Sequence, residues 1–397
     1  MLRTLTVLLA AALLFPAAAF SDEPAVPPHK EFVVHEWAVW VKGASINGTV
    51  LSSPAQLVAT LPKFVQTLKD PRQATTPPQP KVGQKAIPGG PMWNKPVLHL
   101  YGEEGMDVRV SVTTAQGLLS AYWPAGKFLG VYLTTFGTQA VRGMEWSGTL
   151  HAKPEGTLGE SPKDHWWSAV REVPSMYFAA QKQCERFLFY EGTALKEPAV
   201  TATISADQLK LTNSSGDATG QVMVIVNSGD KRYCRVVDAI KGGGDAVISK
   251  ADFLAKESSE DQLLEACRSH WQQFGMTQAE AKAIVKSWEP DLLHPWQILV
   301  ISRMPGELYE KMFPLTVSPK PDKLVRVGVV FDRLKGKSCA NIVPGLSDHI
   351  KDLQAEARGE DAQKSQKAQS ELEWLGLTEN AGLQRQPGST KMRLKCP

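Results

Sequence analysis

A neighbouring histidine and glutamate, His35 and Glu36, are the residues whose types point most directly to acid–base chemistry. They lie in a largely apolar stretch at residues 31–41. Zinc metalloproteases with a His-Glu-x-x-His motif place two imidazoles one helical turn apart, so that both bind the same ion. In this sequence Val39 stands where the second histidine would be. The motif of that enzyme class is therefore absent.

The residues around this pair predict a strand, because β-branched and aromatic side chains dominate the stretch. Successive side chains on a strand point to opposite faces of the sheet. His35 then shares one face with Trp37, and Glu36 shares the other face with Trp40. We therefore expect the two polar groups to lie apart and not to form one acid–base dyad. The interpretation that competes with catalysis is a core strand in which each group has its own partner.

A buried Glu36 needs a cationic partner, because an unpaired carboxylate in a protein core is strongly destabilising. Three arginines on predicted strands are available: Arg109, Arg186 and Arg326. We expect Arg186 to be the partner, since the residues at alternate positions after it are apolar or aromatic. His35, Glu36 and Arg186 are therefore the candidate catalytic residues of a hydrolase whose site is assembled from separate strands.

Other motifs with catalytic or metal-binding spacing are missing from the sequence. None of the 8 histidines lies two or four residues from another histidine, and no Gly-x-Ser-x-Gly motif marks a nucleophilic serine. The glycines at 242–244 precede no Gly-Lys-Ser/Thr, so they predict a connector and not a phosphate loop. The sequence thus predicts neither a metal ion nor a cofactor. A metal site whose ligands come from distant strands would not show such local spacing.

Two pairs of adjacent aromatic residues offer a ligand-binding alternative. Tyr122 and Trp123 precede a proline, and Trp166 and Trp167 follow a short polar segment, so both pairs are predicted in irregular segments. Flat aromatic rings at loop ends stack well on sugar rings or peptide side chains. These four residues are the candidate ligand contacts, and the alternative is that their rings fill the core.

The middle of the chain predicts β-structure. Residues 107–114 alternate between apolar and polar side chains, with Val108, Val110 and Val112 on one face and Arg109 on the other. Further strand-like segments follow as far as residue 240, at intervals of about 8–12 residues. This rhythm favours antiparallel strands in a sandwich over βαβ units.

The segment after the glycine connector predicts helices. Ser249 with Asp252 and Thr277 with Glu280 have the spacing of capping boxes, which mark helix starts. Apolar residues recur at helical spacing between 263 and 288, which predicts an αα-hairpin. The chain as a whole therefore predicts an α+β fold with a mainly antiparallel β-sandwich core, a C-terminal αα-hairpin and a small β unit.

Composition divides the chain into five segments. Residues 1–19 have the charged start, apolar centre and small-residue end of a secretory signal peptide, which predicts an exported protein in the periplasm or outside the cell. No later stretch is long and apolar enough to span a bilayer. The other segments are a strand and helix region with a proline-rich linker (20–96), the β-sandwich (97–245), the αα-hairpin with its β unit (246–345) and a polar helical tail (346–397).

Net charge and cysteine content restrict the partners and the chemistry of the chain. The formal net charge of +3 is small for 397 residues, so nucleic acid is not an expected partner. The 5 cysteines show no Cys-x-x-Cys spacing, and in an oxidising compartment two disulfides and one thiol are expected. We predict that Cys184 pairs with Cys234 and that Cys339 pairs with Cys396. Cys267 is then the buried thiol.

Several short motifs resemble a family of exported proteins of planctomycetes and acidobacteria. The matching motifs are a Val-His-Glu-Trp motif at residues 34–37 and further segments at 96–101, 122–124, 185–190 and 314–319. The sequence departs from the family pattern at residues 38–40 and at Glu191, where an arginine is usual. The resemblance implies export and a shared fold, and it assigns no activity.

The favoured function is an exported, soluble binding protein of the cell envelope whose ligand is a glycan or an envelope protein. Turn-punctuated strands, aromatic residues in predicted loops and the lack of catalytic spacing support it. The alternative is a periplasmic hydrolase whose site forms around His35 and Glu36. Nothing in the sequence determines the oligomeric state.

Overall fold

The computed structural model describes residues 30–42, 45–46, 49–50, 61–68, 92–115, 117–133, 139–194 and 199–377. The predicted leader at 1–19, most of the proline-rich linker and Cys396 lie outside these residues. Within them, seven helices accompany several mostly antiparallel sheets, none of which closes into a barrel, and this confirms the α+β class with a sheet-rich core. No helix of the described ranges combines the length and the apolar character needed to cross a membrane.

The strands are numbered in chain order. They are β1 Val33–Lys42, β2 Ser45–Ile46, β3 Thr49–Val50, β4 Gln66–Thr67, β5 Met92–Tyr101, β6 Asp107–Thr113, β7 Gly117–Trp123, β8 Lys127–Leu133, β9 Gln139–His151, β10 Thr157–Leu158, β11 Tyr177–Ala180, β12 Gln183–Glu185, β13 Phe187–Ala194, β14 Val200–Ser205, β15 Gln208–Asn213, β16 Val222–Ser228, β17 Lys231–Val237, β18 Asp245–Ser249, β19 Glu257–Ser258, β20 Gln297–Arg303, β21 Leu315–Ser318 and β22 Lys323–Leu334.

The helices are numbered in the same way. They are α1 Trp166–Arg171, α2 Lys250–Leu254, α3 Glu260–Gln272, α4 Gln278–Leu292, α5 Gly306–Met312, α6 Leu346–Glu356 and α7 Ala362–Trp374. A 3₁₀ helix at Lys337–Asn341 precedes α6.

The largest sheet has ten strands in the order β19-β17-β16-β20-β22-β1-β5-β13-β7-β4. β1 lies near its centre, where it pairs in parallel with β22 and antiparallel with β5. The predicted segments 20–96, 97–245 and 246–345 each contribute strands to this one sheet. Their boundaries therefore do not separate one sheet from another.

Both faces of the ten-stranded sheet are covered. One face packs against α1, α3 and α4. On the other face, a seven-stranded sheet covers β1, β5 and β13; its order is β10-β12-β11-β9-β6-β21, with β8 paired to β9. A three-stranded sheet, β14-β15-β18, covers β16 and β20 on the same side together with α6 and α7. The central sheet thus lies between a helical layer and two smaller β layers.

The predicted αα-hairpin is confirmed as α3 and α4. Thr277 and Glu280 form the predicted capping box at the start of α4. Gly275, between the two helices, has a φ of 97°, a conformation that glycine adopts without steric cost. The predicted box of Ser249 and Asp252 is also present, and it starts the short helix α2.

The polar segment after residue 346 forms α6 and α7. Most of α7 is exposed, as its composition predicts. Its end is held against the body by Leu372 and Trp374, which are buried in the core beneath the three-stranded sheet.

The predicted disulfide between Cys184 and Cys234 is wrong. Cys184 lies on β12 of the seven-stranded sheet and Cys234 on β17 of the ten-stranded sheet, and both are free thiols. Burial raises the pKa of Cys184 to about 12 and that of Cys234 to about 11, so both remain protonated at neutral pH. Cys339 is also a free thiol, and its predicted partner lies outside the described residues. Cys267 is a buried thiol, as predicted.

Candidate functional site

β1 places His35 and Glu36 on opposite faces of the ten-stranded sheet, as strand alternation predicts. Trp37, on the face of His35, packs in the core beneath the helices. Trp40, on the face of Glu36, packs in the core beneath the seven-stranded sheet. The two polar side chains therefore belong to separate clusters and cannot act together on one substrate atom.

The polar group on the helical side, called here the His35 cluster, consists of His35, His99, Tyr101, Ser175 and Glu280. Nδ1 of His35 lies 2.9 Å and 3.0 Å from the two carboxylate oxygens of Glu280. The hydroxyl of Tyr101 donates a hydrogen bond to Glu280 Oε1 at 3.1 Å. Because Glu280 is fully buried in the first turn of α4, these contacts join β1 and β5 to the helical layer.

The Glu280 carboxylate is a fixed hydrogen-bond acceptor. It accepts the backbone N–H of Thr277 at 2.8 Å in addition to the contacts from the two strands. Burial acts to raise the pKa of Glu280, but the hydrogen bond from His35 and the neighbouring imidazoles outweigh burial and lower the pKa to about 2. A carboxylate with so low a pKa is a poor proton acceptor near neutral pH. The pair with His35 is therefore better suited to positioning α4 than to acid–base catalysis.

Among the described residues of the cluster, His99 has a buried ring nitrogen without a hydrogen-bond partner. Ser175 donates to the backbone oxygen of Arg186 at 2.8 Å, so its oxygen accepts the Nδ1–H of His99 at 3.1 Å. Nε2 of His99 is buried without a hydrogen-bond partner. Burial, reinforced by the charge on His35 and opposed by Glu280, lowers the pKa of His99 to about 4. His99 is therefore neutral at pH 7.

The polar group on the other side, called here the Glu36 network, consists of Glu36, Tyr190, Tyr309, Glu310 and Arg326. Arg326 Nε donates to Glu36 Oε2, and the hydroxyl of Tyr190 donates to Glu36 Oε1 at 2.5 Å. The guanidinium also pairs with Glu310 at 2.7 Å and lies 4.3 Å from the ring centroid of Tyr309. Glu36 is thus a buried, fully paired carboxylate.

The predicted partner of Glu36, Arg186, is replaced by Arg326. In the parallel register of β1 and β22, Glu36 lies directly beside Arg326, which places the two side chains on the same face. Arg186 instead donates to the backbone oxygen of Arg171 at 3.0 Å and lies over the ring of Tyr177 at 4.6 Å. The pairing of β1 with β22, which local sequence does not encode, decided the choice between the two arginines.

The four candidate ligand-binding aromatic residues lie in the core. Tyr122, Trp123, Trp166 and Trp167 are each at most 7% exposed, so none presents an open ring face for stacking on a ligand. Trp167 donates its indole N–H to Glu185 at 2.9 Å. The interpretation of these rings as core residues therefore fits the structure.

A cleft on the helical side is the strongest candidate for a ligand site. The α1–α3–α4 cleft has a volume of about 420 Å³, which is within the usual range of small-molecule pockets. Its apolar lining includes Ala169, Leu264, Ala283 and Val285. Its charged lining consists of the four cations Lys163, Arg268, Lys282 and Lys286, and the three carboxylates Asp164, Glu172 and Glu289.

The ion pairs around this cleft are weak and open to exchange. Lys282 and Glu172 are 3.9 Å apart with side chains that are each 71% exposed. Lys286 and Glu289 are 3.0 Å apart, one helical turn from each other on α4. Exposed pairs of this kind contribute little to stability, so their charges can turn toward a ligand.

Sequence inspection missed this cleft because its residues come from three distant segments. Charged residues lie in the segment before α1, in α3 and in α4. Taken separately, each of these groups predicts an ordinary solvated surface. The only local signal is that Lys282 and Lys286 are four residues apart and so lie on the same helix face.

One exposed group in the described ranges has the composition of a metal site. Donor atoms of Glu104, His151 and Glu155 lie within 4.8 Å of one another. Each of these groups already has a partner, since His151 Nδ1 contacts Glu104 at 2.9 Å and Nε2 contacts Glu155 at 3.5 Å. The geometry is that of a surface histidine held between two carboxylates.

Comparison with known proteins adds no family or relative. No protein-family model matches the chain, and no curated protein matches it. The geometry of the sites therefore provides the basis for a function.

We expect Glu36→Gln to lower the free energy of unfolding by about 3 kcal/mol, because it leaves the buried Arg326 guanidinium without its principal counter-charge. Chemical denaturation at pH 7 measures the change. Glu307→Gln, which alters an exposed carboxylate paired with Lys311, is the matched control and should leave stability unchanged. A double Glu36→Met, Arg326→Met variant should recover part of the loss. Native stability in Glu36→Gln would contradict this account of the network.

We expect stability to fall as the pH drops from 6.5 toward 4, because His99 binds a proton in the unfolded chain but stays neutral in the folded protein. Between pH 7.5 and pH 5, His99 should lower the free energy of unfolding by about 2 kcal/mol. His99→Phe should remove that part of the pH dependence, whatever its effect at pH 7.5. Denaturation curves at both pH values measure it.

His270 provides an independent check on this interpretation, because burial also lowers its pKa to about 4. The double variant His99→Phe, His270→Phe should lose about twice as much pH dependence as either single variant. A native pH dependence in His99→Phe would show that this imidazole does not titrate as its burial requires.

Proposed function

We propose that this protein is an exported, non-catalytic binding protein whose α1–α3–α4 cleft binds a short acidic saccharide. The leader-like residues 1–19 and the resemblance to exported proteins support export. The observation that carries the proposal is the cleft itself, whose lining combines four cationic side chains with three carboxylates and several apolar side chains.

The mixed charges of the cleft support a ligand that combines carboxylates with hydroxyl groups. Lysine and arginine side chains bind anions through charge-assisted hydrogen bonds. The three carboxylates of the lining can accept hydrogen bonds from sugar hydroxyls, and its apolar side chains can contact the less polar face of a sugar ring. A uronic-acid oligosaccharide offers all of these groups.

Binding is favoured over hydrolysis because the strongest acid–base candidates lie elsewhere and are engaged. His35 and Glu36 do not line the cleft. His35 is paired with Glu280, and Glu36 with Arg326 and Tyr190. His165, the histidine that does line the cleft, caps α1, because its Nδ1 accepts the backbone N–H of Trp167. Exposed lysines and carboxylates suit reversible binding, because exposed ion pairs exchange readily.

Isothermal titration calorimetry with trigalacturonate tests the proposal. We expect binding that weakens as the salt concentration rises, because the charges involved are exposed. Lys282→Gln and Lys286→Gln should each weaken binding about 10-fold, the effect of losing one charge-assisted hydrogen bond. Neutral galactotriose should bind much more weakly than the acidic trimer.

Lys364→Gln and Lys367→Gln on α7 are the matched controls, since they remove the same charge from an exposed helix away from the cleft. If they weaken binding as much as the cleft variants do, the cleft is not the site. Chromatography of trigalacturonate after incubation with the protein tests whether the protein is non-catalytic. Cleavage products formed by the native protein would overturn a non-catalytic role.

A further inference from the structure

A histidine and two glutamates converge at the surface of the protein where β9 ends. His151 is the last residue of β9, Glu104 lies in the turn between β5 and β6, and Glu155 lies between β9 and β10. Donor atoms of the three side chains lie within 4.8 Å of one another. Two carboxylates around one imidazole carry a net negative charge even when the imidazole is protonated. The group therefore favours a bound cation.

Backbone hydrogen bonds hold the segments that carry these side chains. The N–H of Leu150 donates to the carbonyl of Met106 at 2.9 Å, which joins the end of β9 to the turn before β6. The N–H of Thr157 donates to the carbonyl of Lys182 at 3.0 Å, which fixes the chain shortly after Glu155. Because the fold holds the three side chains near one another, the entropic cost of binding a ligand between them is reduced.

Glu104 fixes the orientation and the tautomer of the imidazole. Nδ1–H of His151 donates to Glu104 Oε1 at 2.9 Å, and the other carboxylate oxygen accepts the backbone N–H of Ala152 at 2.5 Å. The hydrogen bond from Ala152 lowers the pKa of Glu104, which keeps this carboxylate ionised as an acceptor. Metal-binding histidines usually donate one ring N–H to such a carboxylate, because this directs the lone pair of the other nitrogen to the ion.

The spacing between His151 and Glu155 fits two ligands of one ion better than it fits a hydrogen bond. Nε2 of His151 lies 3.5 Å from Glu155 Oε2. Hydrogen bonds between a charged nitrogen donor and a carboxylate are about 2.7–2.9 Å long. Two ligand atoms that each lie about 2.0–2.1 Å from a tetrahedral zinc ion are about 3.3 Å apart. With the proton on Nδ1, both facing atoms are acceptors, and a cation between them satisfies both.

We propose that His151 and Glu155 bind a divalent transition-metal ion such as Zn²⁺, with Glu104 as the positioning residue of the imidazole. An imidazole nitrogen favours zinc over calcium and magnesium, which prefer oxygen ligands. The side chains of Glu104 and Glu155 are 53% and 67% exposed, so water can complete the coordination of the ion. The site is separate from the α1–α3–α4 cleft and does not depend on the saccharide proposal.

Isothermal titration calorimetry with ZnCl₂ tests the inference on the full-length mature protein. The protein is first treated with EDTA and dialysed, so that no metal remains. We expect saturable Zn²⁺ binding with a Kd below about 100 μM, the range of a weak but specific site. Ca²⁺ and Mg²⁺ should each bind at least about 10-fold more weakly, because an imidazole nitrogen is a poor ligand for both ions.

Variants of the three residues locate the site. His151→Gln should abolish the saturable binding, because it removes the nitrogen ligand that selects for zinc. Glu155→Gln removes the charged oxygen ligand and should weaken binding at least about 10-fold. Glu104→Gln leaves both ligands in place but removes the carboxylate that orients the imidazole, and it should weaken binding about 10-fold.

His349→Gln is the matched control. This imidazole is also partly exposed and contacts a carboxylate, but its Nε2 lies 2.8 Å from Glu371, at hydrogen-bond distance. The control variant should bind Zn²⁺ like the native protein. Thermal denaturation of each variant without metal confirms that it is folded.

Three results would overturn the inference. The first is no saturable Zn²⁺ binding below about 100 μM in the native protein. The second is native Zn²⁺ binding by His151→Gln, which would place the ion elsewhere. The third is equal affinity for Zn²⁺ and Ca²⁺, which would show that the carboxylates attract any divalent cation without a contribution from the imidazole.

Discussion

The buried ion pair between Glu36 and Arg326 joins the first described strand to the last one, across 290 residues of sequence. A buried pair of this kind contributes little net stability compared with an apolar replacement, but a single unpaired member is costly. Only one register of β1 against β22 places the carboxylate beside the guanidinium. The pair therefore selects the register at the centre of the ten-stranded sheet, and the rest of the packing depends on that register.

The same strand provides a second polar contact on its other face. His35 binds Glu280 in the first turn of α4, so that the helical layer is fixed to the sheet at a defined point. Strand alternation assigns one polar residue to each covering layer, and each residue is satisfied there. As a result, the two residues whose types first suggested catalysis join the sheet to the layers that cover it.

The proposed ligand site therefore lies at the periphery of the fold. The α1–α3–α4 cleft arises where the short helix α1, between β10 and β11, meets the αα-hairpin. This cleft follows from how the layers meet at their margins, and it does not depend on the polar clusters around β1.

The sequence by itself determined the properties that depend on neighbouring residues. Alternation placed His35 and Glu36 on opposite faces, and the capping box at Thr277 and Glu280 marked the start of α4, since both patterns repeat over a few residues. Only the tertiary structure decided that Arg326 and not Arg186 pairs with Glu36, that the adjacent aromatic rings are buried, and that Cys184 and Cys234 lie in different sheets. These outcomes depend on which distant strands become neighbours, and that choice is made by the packing of the whole chain and not by local periodicity.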